Sequence, residues 1–209
     1  MKQKKDFIPI ILYLVINILL TGIIIGIITI VNPTKNLDNC VTSLSYLSFI
    51  LVTIILIIKY RKKLNNNLKS LNKKDLIFIL ISSILILTTN LIISTIFTTT
   101  DVDMNNQELL VNSLKNIKLL PILSIVIAAP FPEEMVFRYS IGTIIKNKII
   151  FVIISSLLFG IFHEIGISTI IYIIIGAFLS IIYLKTNKNV IASTIAHSIN
   201  NLISVIILI

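Results

Sequence analysis

The sequence has 209 residues, of which 56% are hydrophobic and only 13% are charged, and its formal net charge is +9. Soluble globular domains contain about 25% charged residues, so this composition excludes a disordered chain, a nucleic-acid-binding domain and a disulfide scaffold. The single Cys40 cannot form an internal disulfide and lies outside any metal-ligand spacing. We therefore expect an integral membrane protein whose basic residues lie in loops beside anionic lipid.

Seven apolar stretches are candidate membrane spans, each of which needs about 20 predominantly apolar residues. They are too long and too uniformly apolar for the strands of a β-barrel. The first follows three lysines, as in a signal peptide, but its apolar stretch exceeds the roughly 7–15 residues of a signal core, so we expect a retained helix. The predicted spans are 7–31, 41–58, 76–97, 117–145, 149–165, 168–184 and 190–209. The predicted fold is an all-α, polytopic membrane protein of about seven transmembrane helices.

The basic residues are unevenly distributed between the two sides of these spans. With the N-terminus inside, 14 lie in inner segments, three in outer segments and one, Arg138, within a span. The positive-inside rule therefore predicts a cytoplasmic N-terminus and an outer C-terminus. The basic inner segment 59–75 is predicted to be an exposed loop that sets orientation, with a phospholipid or partner contact as the alternative. The polar outer stretch 98–116 is predicted to be a loop or a short surface helix.

The fourth span contains ionisable residues, which cost at least about 2.5–3.5 kcal/mol each at the bilayer centre and so indicate function. Pro130 and Pro132 lack backbone donors, so we expect the helix to break or kink there and to free some carbonyls. Helix then resumes with Glu133 and Glu134 in its first turn. Glu134 and Arg138 are one turn apart and can form an ion pair. Because one arginine cannot neutralise two carboxylates, the other is left free or protonated, a candidate general base.

Two later spans also carry polar side chains. His163 lies near the outer end of the fifth span, with Phe159 one turn before it and able to stack against it. The zinc-protease pattern HExxH begins at this histidine but lacks its second histidine, so that signature is absent. In the seventh span His197 and Asn201 share one helix face. Taken singly, each histidine could equally be a structural polar contact between helices.

The depth of these residues in the membrane links the three spans. Counted from the nearest inner boundary at about 1.5 Å per residue, Glu133, His163, His197 and Asn201 lie about 20, 22, 14 and 20 Å deep. All four fall in the middle to outer part of a hydrocarbon core about 30 Å thick. Unrelated polar contacts have no reason to share one layer, so we expect the helices to enclose one polar chamber.

Together the three motifs resemble those of the CPBP family (CAAX proteases and bacteriocin-processing enzymes, also called the Abi family). These are intramembrane proteases that include the eukaryotic Ras-converting CAAX endopeptidase. The motifs are Glu133-Glu134-x-x-x-Arg138, Phe159-x-x-x-His163 and His197-x-x-x-Asn201, in that order along the chain. The resemblance covers residues 117–209, which it identifies as the catalytic core, whereas residues 1–116 add only compatible membrane helices.

The resemblance implies an endopeptidase in which Glu133 activates the attacking water with the assistance of His163. His197 and Asn201 would hold the oxyanion of the tetrahedral intermediate. These implied roles agree with the chemistry, because peptide hydrolysis needs a base for water and donors for the developing negative oxygen.

Glu134 and Arg138 would form the supporting pair, with Glu134 as a second candidate for catalysis. A different assignment is a divalent metal, with zinc the first choice, held by two histidines and a glutamate. We favour the glutamate mechanism without a cofactor, because a metal bound to Glu133 would leave Glu134 as the only base and take it away from Arg138.

The expected partners are a peptide or lipidated-protein substrate and membrane lipid. CAAX processing takes prenylated proteins, whereas a prokaryotic member could trim a peptide pheromone, a bacteriocin or a lipoprotein. The alternative class is a non-enzymatic membrane protein, either an immunity factor that sequesters a peptide or an ion-coupled transporter, although no inverted repeat is visible. A regulatory scaffold fits only if the chamber is vestigial. The expected location is a prokaryotic cell membrane, and the oligomeric state is left open.

Overall fold

The computed structural model describes residues 5–31, 38–99 and 119–208, and over these residues it contains seven helices and no strand. The helices are α1 (Ile8–Val31), α2 (Asp38–Ser70), α3 (Lys73–Thr99), α4 (Leu120–Ile144), α5 (Lys148–His163), α6 (Thr169–Lys185) and α7 (Val190–Leu208). Five of them are long and apolar enough to cross a membrane, whereas α5 and α6 are shorter apolar helices. The predicted all-α, multi-pass membrane architecture is confirmed.

The basic segment 59–75 is helical for most of its length, so its prediction as a loop is wrong. Helix α2 continues to Ser70 and α3 begins at Lys73, which leaves only two residues between them. The segment contains neither glycine nor proline, and its lysines and leucines favour a helix even where the chain has left the apolar layer. The turn is stabilised by Asn72, whose Oδ1 accepts from the backbone N–H groups of Lys74 and Asp75. The outer stretch 98–116 lies outside the described residues, apart from the backbone of 98–99 at the end of α3.

Helix α4 continues past its prolines but departs from regular α-helical geometry just before them, so of the predicted break or kink only the break is absent. Residues 124–128 form a π-helical turn in which the N–H of Ala129 donates to the carbonyl of Ser124, five residues earlier. The N–H of Glu133 donates to the carbonyl of Ala129, so the helix continues past both prolines. A local π adjustment absorbs a missing donor without ending a helix. An α-helical stretch of α4 begins at Pro130, directly after the π-helical turn, and Glu133 lies in its first turn as predicted.

Two carbonyls near the prolines accept hydrogen bonds from side chains of other helices. Ala128 lies four residues before Pro132, and its carbonyl accepts from Thr53 Oγ1 at 2.6 Å. Ile125 lies five residues before Pro130, and its carbonyl accepts from Asn201 Nδ2 at 2.9 Å. The prolines therefore create attachment points that hold α4 against α2 and α7, as expected for carbonyls freed inside a membrane.

Helices α5 and α6 approach closely because each has a glycine at the contact. A Cβ atom added at Gly160 would lie 2.5 Å from Cγ1 of Ile173, and one added at Gly176 would lie 3.0 Å from Cα of Ser156. Small residues let the backbones of membrane helices come this near. The approach places the ring of Phe159 and the carbonyl of Gly176 beside α4.

We expect Gly176→Ala to lower the thermal stability of the protein. The added methyl group would meet the backbone of Ser156, which cannot move without separating α5 from α6, and overpacking of this kind costs about 1–3 kcal/mol. Gly26→Ala in α1 is the matched control, since no atom lies within 4 Å of the added carbon and alanine is the better helix former by about 1 kcal/mol. Size-exclusion chromatography of heated, detergent-solubilised protein measures both. Equal melting temperatures would contradict the close contact.

Candidate active site

The ionisable side chains of α4, α5 and α7 form one cluster inside the helical bundle. All of them are buried except that of His163, which retains 19% exposure. The cluster consists of Glu133, Glu134, Arg138, His163 and His197. The structure thus brings together the five ionisable residues that the sequence analysis selected on three separate spans.

Glu134 is fully buried and both of its oxygens face a basic side chain. Oε2 lies 3.2 Å from Nε of Arg138, and Oε1 lies 3.1 Å from Nδ1 of His197. The arginine contact is coulombic rather than an aligned hydrogen bond, because neither Nε nor Oε2 has a hydrogen-bond partner among the described residues. The Arg138 guanidinium also donates from Nη2 to the carbonyl of Gly176 at 3.3 Å and lies 4.5 Å from the ring centroid of Phe159. Glu134 is therefore held in place from both sides.

Glu133 is the carboxylate that remains available for chemistry. Its Oε2 lies 3.5 Å from Nε2 of His163 and 3.8 Å from Nε2 of His197, both beyond ordinary hydrogen-bond distance. Its side chain is 9% exposed, whereas that of Glu134 is 0% exposed. The spacing of the sequence predicted the pairing of Glu134 with Arg138, and the structure has this pair in contact, which leaves Glu133 without the arginine.

The hydrogen bonds of the two imidazole rings assign their hydrogens. Nδ1 of His163 lies 2.8 Å from the carbonyl of Phe159, which can only accept, so Nδ1 carries the hydrogen. Nδ1 of His197 faces the Glu134 carboxylate, which accepts in the same way when ionised beside Arg138. In the neutral rings both Nε2 atoms are then acceptors directed at one acceptor oxygen of Glu133. Three acceptor atoms this close together need a proton on one of them, or a bridging donor such as a water molecule.

His163 is oriented by two aromatic rings. The ring of Phe159 lies 4.1 Å away and that of Tyr172 stacks on it at 5.1 Å with an interplanar angle of 20°. Phe159 also contacts His197 edge-on, with ring centroids 5.5 Å apart. The stacking of Phe159 follows the predicted spacing, whereas Tyr172 was missed. Its only signal in the sequence is one polar aromatic residue in a run of isoleucines.

Asn201 ties α7 to the proline-containing part of α4. One hydrogen of its amide is used in the bond to the carbonyl of Ile125, and its Oδ1 accepts from Nδ2 of Asn200 at 3.5 Å. An amide nitrogen carries two hydrogens, so this bond uses one of two. The oxyanion role implied for Asn201 stays a prediction.

Glu133, His163 and His197 have the donor atoms that zinc prefers, and bonds from Nδ1 to a carbonyl or carboxylate commonly support zinc-bound histidines. Within the described residues, however, no group of three or more His, Cys, Asp or Glu side chains is arranged to hold a metal ion. The choice between a metal and a glutamate mechanism stays a prediction, and the reaction proposed below is described through the side chains alone.

Residues 115–203 match the family model described as type II CAAX prenyl endopeptidase Rce1-like. An uncharacterized protein of Mycoplasma capricolum subsp. capricolum is 36% identical over 94 residues, which make up 44% of this chain and 28% of that protein. The chain thus spans little more than a quarter of the length of this curated relative. No solved structure matches the chain.

Proposed function

The match of residues 115–203 supports a CPBP-family intramembrane protease, and from this premise we propose that the chain is an endopeptidase that hydrolyses a peptide bond inside the membrane. The observation that carries the proposal is the convergence of both histidine Nε2 atoms on one oxygen of Glu133. A buried polar group of this kind is retained in a membrane only where it is paired or functional.

In the proposed reaction a water molecule donates hydrogen bonds to Oε2 of Glu133 and to Nε2 of His163. These two atoms lie 3.5 Å apart and are both acceptors. Glu133 takes a proton from this water, and the water oxygen attacks the carbonyl carbon of the substrate. When the tetrahedral intermediate collapses, the C–N bond breaks and the proton passes from Glu133 to the leaving amine. One carboxylic acid and one amine are formed.

The oxyanion of the intermediate is stabilised by His197, in our proposal, and by the second amide hydrogen of Asn201. Nδ1 of His197 donates to Glu134, so Nε2 has to carry a proton in order to donate to the oxyanion. The buried carboxylate of Glu134, 3.1 Å away, supplies the negative charge that an imidazolium needs. Glu134 and Arg138 are positioning residues in this scheme, because they act through His197 and do not touch the substrate.

The proposed substrate is a peptide or a lipidated protein of the membrane in which the chain resides, either a CAAX-type protein or a peptide of the bacteriocin or pheromone type. Residues 117–209 would supply the chemistry and residues 1–116 the supporting helices. The basic inner segments would place the N-terminus in the cytoplasm of a prokaryotic cell.

The proposal is tested by comparing the membrane peptidome of cells that produce the wild type with that of cells that produce Glu133→Gln at the same level. We expect at least one peptide or protein that is shortened with the wild type and accumulates intact with the variant. A non-enzymatic immunity or transport protein predicts identical peptidomes, and that result would reject the protease assignment.

The proposed reaction without a metal makes a separate prediction. Prolonged treatment with a membrane-permeant chelator should leave the cleavage rate unchanged, because Glu133 rather than a metal-bound hydroxide activates the water. The metal content of the purified, active protein is measured in parallel. Loss of activity that returns with added zinc, together with stoichiometric zinc, would replace this mechanism by a metal-dependent one.

A further inference from the structure

Two lysines from distant parts of the chain approach each other at the predicted inner boundary of the membrane. Lys63 lies near the inner end of α2, and Lys188 lies in the turn between α6 and α7. Both side chains are half-buried, and their ammonium groups interact electrostatically. Like charges repel each other, so an anion placed between the two ammonium groups would be stabilised by both.

The carboxylate of Asp6 also interacts with Lys63, but its oxygens are already used by other donors. Oδ2 accepts from the hydroxyls of Tyr60 and Tyr139 at 2.8 and 3.0 Å, and Oδ1 accepts from the backbone N–H of Ile8 at 3.1 Å. Within the described part of the chain, no carboxylate lies at ion-pair distance from either lysine. The two lysines therefore carry one positive charge more than this aspartate can balance.

The ammonium group of Lys63 is oriented by an aromatic ring. Its Nζ lies 4.6 Å from the ring centroid of Tyr139, which is a cation–π contact. The Tyr139 ring packs edge-on against that of Tyr60, with centroids 5.5 Å apart, and Tyr60 lies three residues before Lys63 in α2. This contact directs the lysine toward α4 but leaves its charge unneutralised.

The backbone of the turn between α6 and α7 sets the position of Lys188. Asn187 and Lys188 have φ angles of 57° and 61°, in the left-handed region. An asparagine in this region commonly ends a helix, and the N–H of Lys188 donates to the carbonyl of Tyr183 at 2.8 Å, as in such an ending. A second left-handed residue is not needed to end the helix, and lysine adopts this conformation only where its surroundings impose it.

Asn189 supplies that constraint by fastening the turn to α2. The side chain is buried, and its Nδ2 donates to the carbonyl of Asn67 at 2.7 Å and to Oγ of Ser70 at 3.1 Å. Asn67 lies about one helical turn after Lys63. The hydrogen bonds of Asn189 therefore bring the neighbouring Lys188 to the face of α2 that carries Lys63.

We propose that Lys63 and Lys188 together bind the phosphate group of an anionic phospholipid of the inner leaflet. The inference goes beyond the proposed reaction and does not depend on it. Basic sites between membrane helices at the cytoplasmic boundary bind the head groups of anionic lipids. Helices α2 and α6 also expose isoleucines in the stretches that precede the two lysines, namely Ile57, Ile58 and Ile181. A phospholipid can use the lysines and this apolar surface together, whereas a soluble phosphate can use only the lysines.

The test counts the lipids bound to purified, detergent-solubilised protein by native mass spectrometry after addition of phosphatidylglycerol or phosphatidylcholine. We expect the wild type to retain several-fold more phosphatidylglycerol than phosphatidylcholine. Lys63→Gln combined with Lys188→Gln should lower the retention of phosphatidylglycerol to that of phosphatidylcholine. Lys62→Gln combined with Lys185→Gln is the matched control, because it removes the same charge from exposed positions nearby and should bind as the wild type does.

Two outcomes of this experiment overturn the proposal. Equal retention of phosphatidylglycerol by the two double variants would show that net charge alone attracts the lipid. Displacement of phosphatidylglycerol by an equal concentration of glycerol phosphate would identify a site for a soluble phosphate. Size-exclusion chromatography checks that both double variants are folded and monodisperse.

A charge reversal tests the same site by filling it from within the chain. Lys188→Glu places a carboxylate beside Lys63, where it should take the place of the lipid phosphate. A ligand that binds the folded state raises its melting temperature, so phosphatidylglycerol in nanodiscs should stabilise the wild type and the matched control Lys185→Glu. It should leave the melting temperature of Lys188→Glu unchanged. An equal rise in all three proteins would contradict the site.

Discussion

Replacement of Glu133 by glutamine is expected to lower the rate of peptide cleavage by at least about 10²-fold, the lower limit of what a positioned general base contributes. Glutamine keeps the volume of the side chain but cannot take a proton from water. It also removes the negative charge of the group on which Nε2 of His163 and Nε2 of His197 converge at 3.5 and 3.8 Å. The measurement is the rate at which purified protein in nanodiscs cleaves a substrate identified in the peptidome comparison.

Glu164→Gln is the matched control for this experiment. Glu164 is also buried and follows His163 directly in the chain, but it is not one of the five side chains that form the cluster. We expect this variant to cleave at the wild-type rate and Glu133→Gln to accumulate to the wild-type level. A Glu133→Gln enzyme that retains the wild-type rate would remove the general base from the mechanism.

The second large effect concerns stability. Arg138→Ala is expected to destabilise the folded protein by about 3–5 kcal/mol, because it leaves the buried carboxylate of Glu134 without its charged partner. Arg138 is fully buried and also contacts Gly176 and Phe159, so the truncation removes contacts to α6 and α5 as well. The protein is heated and then run on size-exclusion chromatography, and the fraction that stays in the monodisperse peak measures the loss of stability.

Two further variants separate the charge from the packing. Arg138→Lys keeps a positive charge but not the planar group that reaches Glu134 and Gly176 together, so an intermediate stability is expected. Adding Glu134→Gln to Arg138→Ala removes the stranded charge and should recover part of the loss. If the double variant is no more stable than Arg138→Ala alone, the damage comes from lost packing and the buried ion pair is not its cause.

The family resemblance drawn from the three motifs is confirmed by the match at residues 115–203, and the helical membrane fold by the seven helices of the described residues. Both were predictable from the sequence. A membrane span needs an apolar stretch of about 20 residues, and an ionisable residue inside such a stretch is costly enough to indicate function. Depth along a helix is likewise a matter of counting, which is why Glu133, His163 and His197 were expected in one layer.

The predictions that were wrong concern the course of the backbone. Residues 59–75 were expected to form a loop because they are polar, yet composition only places a segment outside the apolar layer and does not decide whether it is helical. Pro130 and Pro132 were expected to break or kink α4 and to free carbonyls, since each lacks a donor; the helix does not break, but carbonyls are freed. Their neighbours Ile125 and Ala128 are satisfied by Asn201 and Thr53, which lie 76 and 75 residues away in the chain. No local rule could have named those partners.

By itself the sequence determined that the chain lies in a membrane, which of its residues are too polar to be there without a reason, and the depth at which each of them lies. The spacing also paired Glu134 with Arg138. Only the tertiary structure decided what else surrounds the two carboxylates. It places one nitrogen of His197 beside Glu134, directs Nε2 of both histidines to Glu133, and stacks Tyr172 on His163. The physical reason is that spacing along a helix determines which side chains share one face of it, whereas contacts between helices depend on how closely those helices pack, here on Gly160 and Gly176.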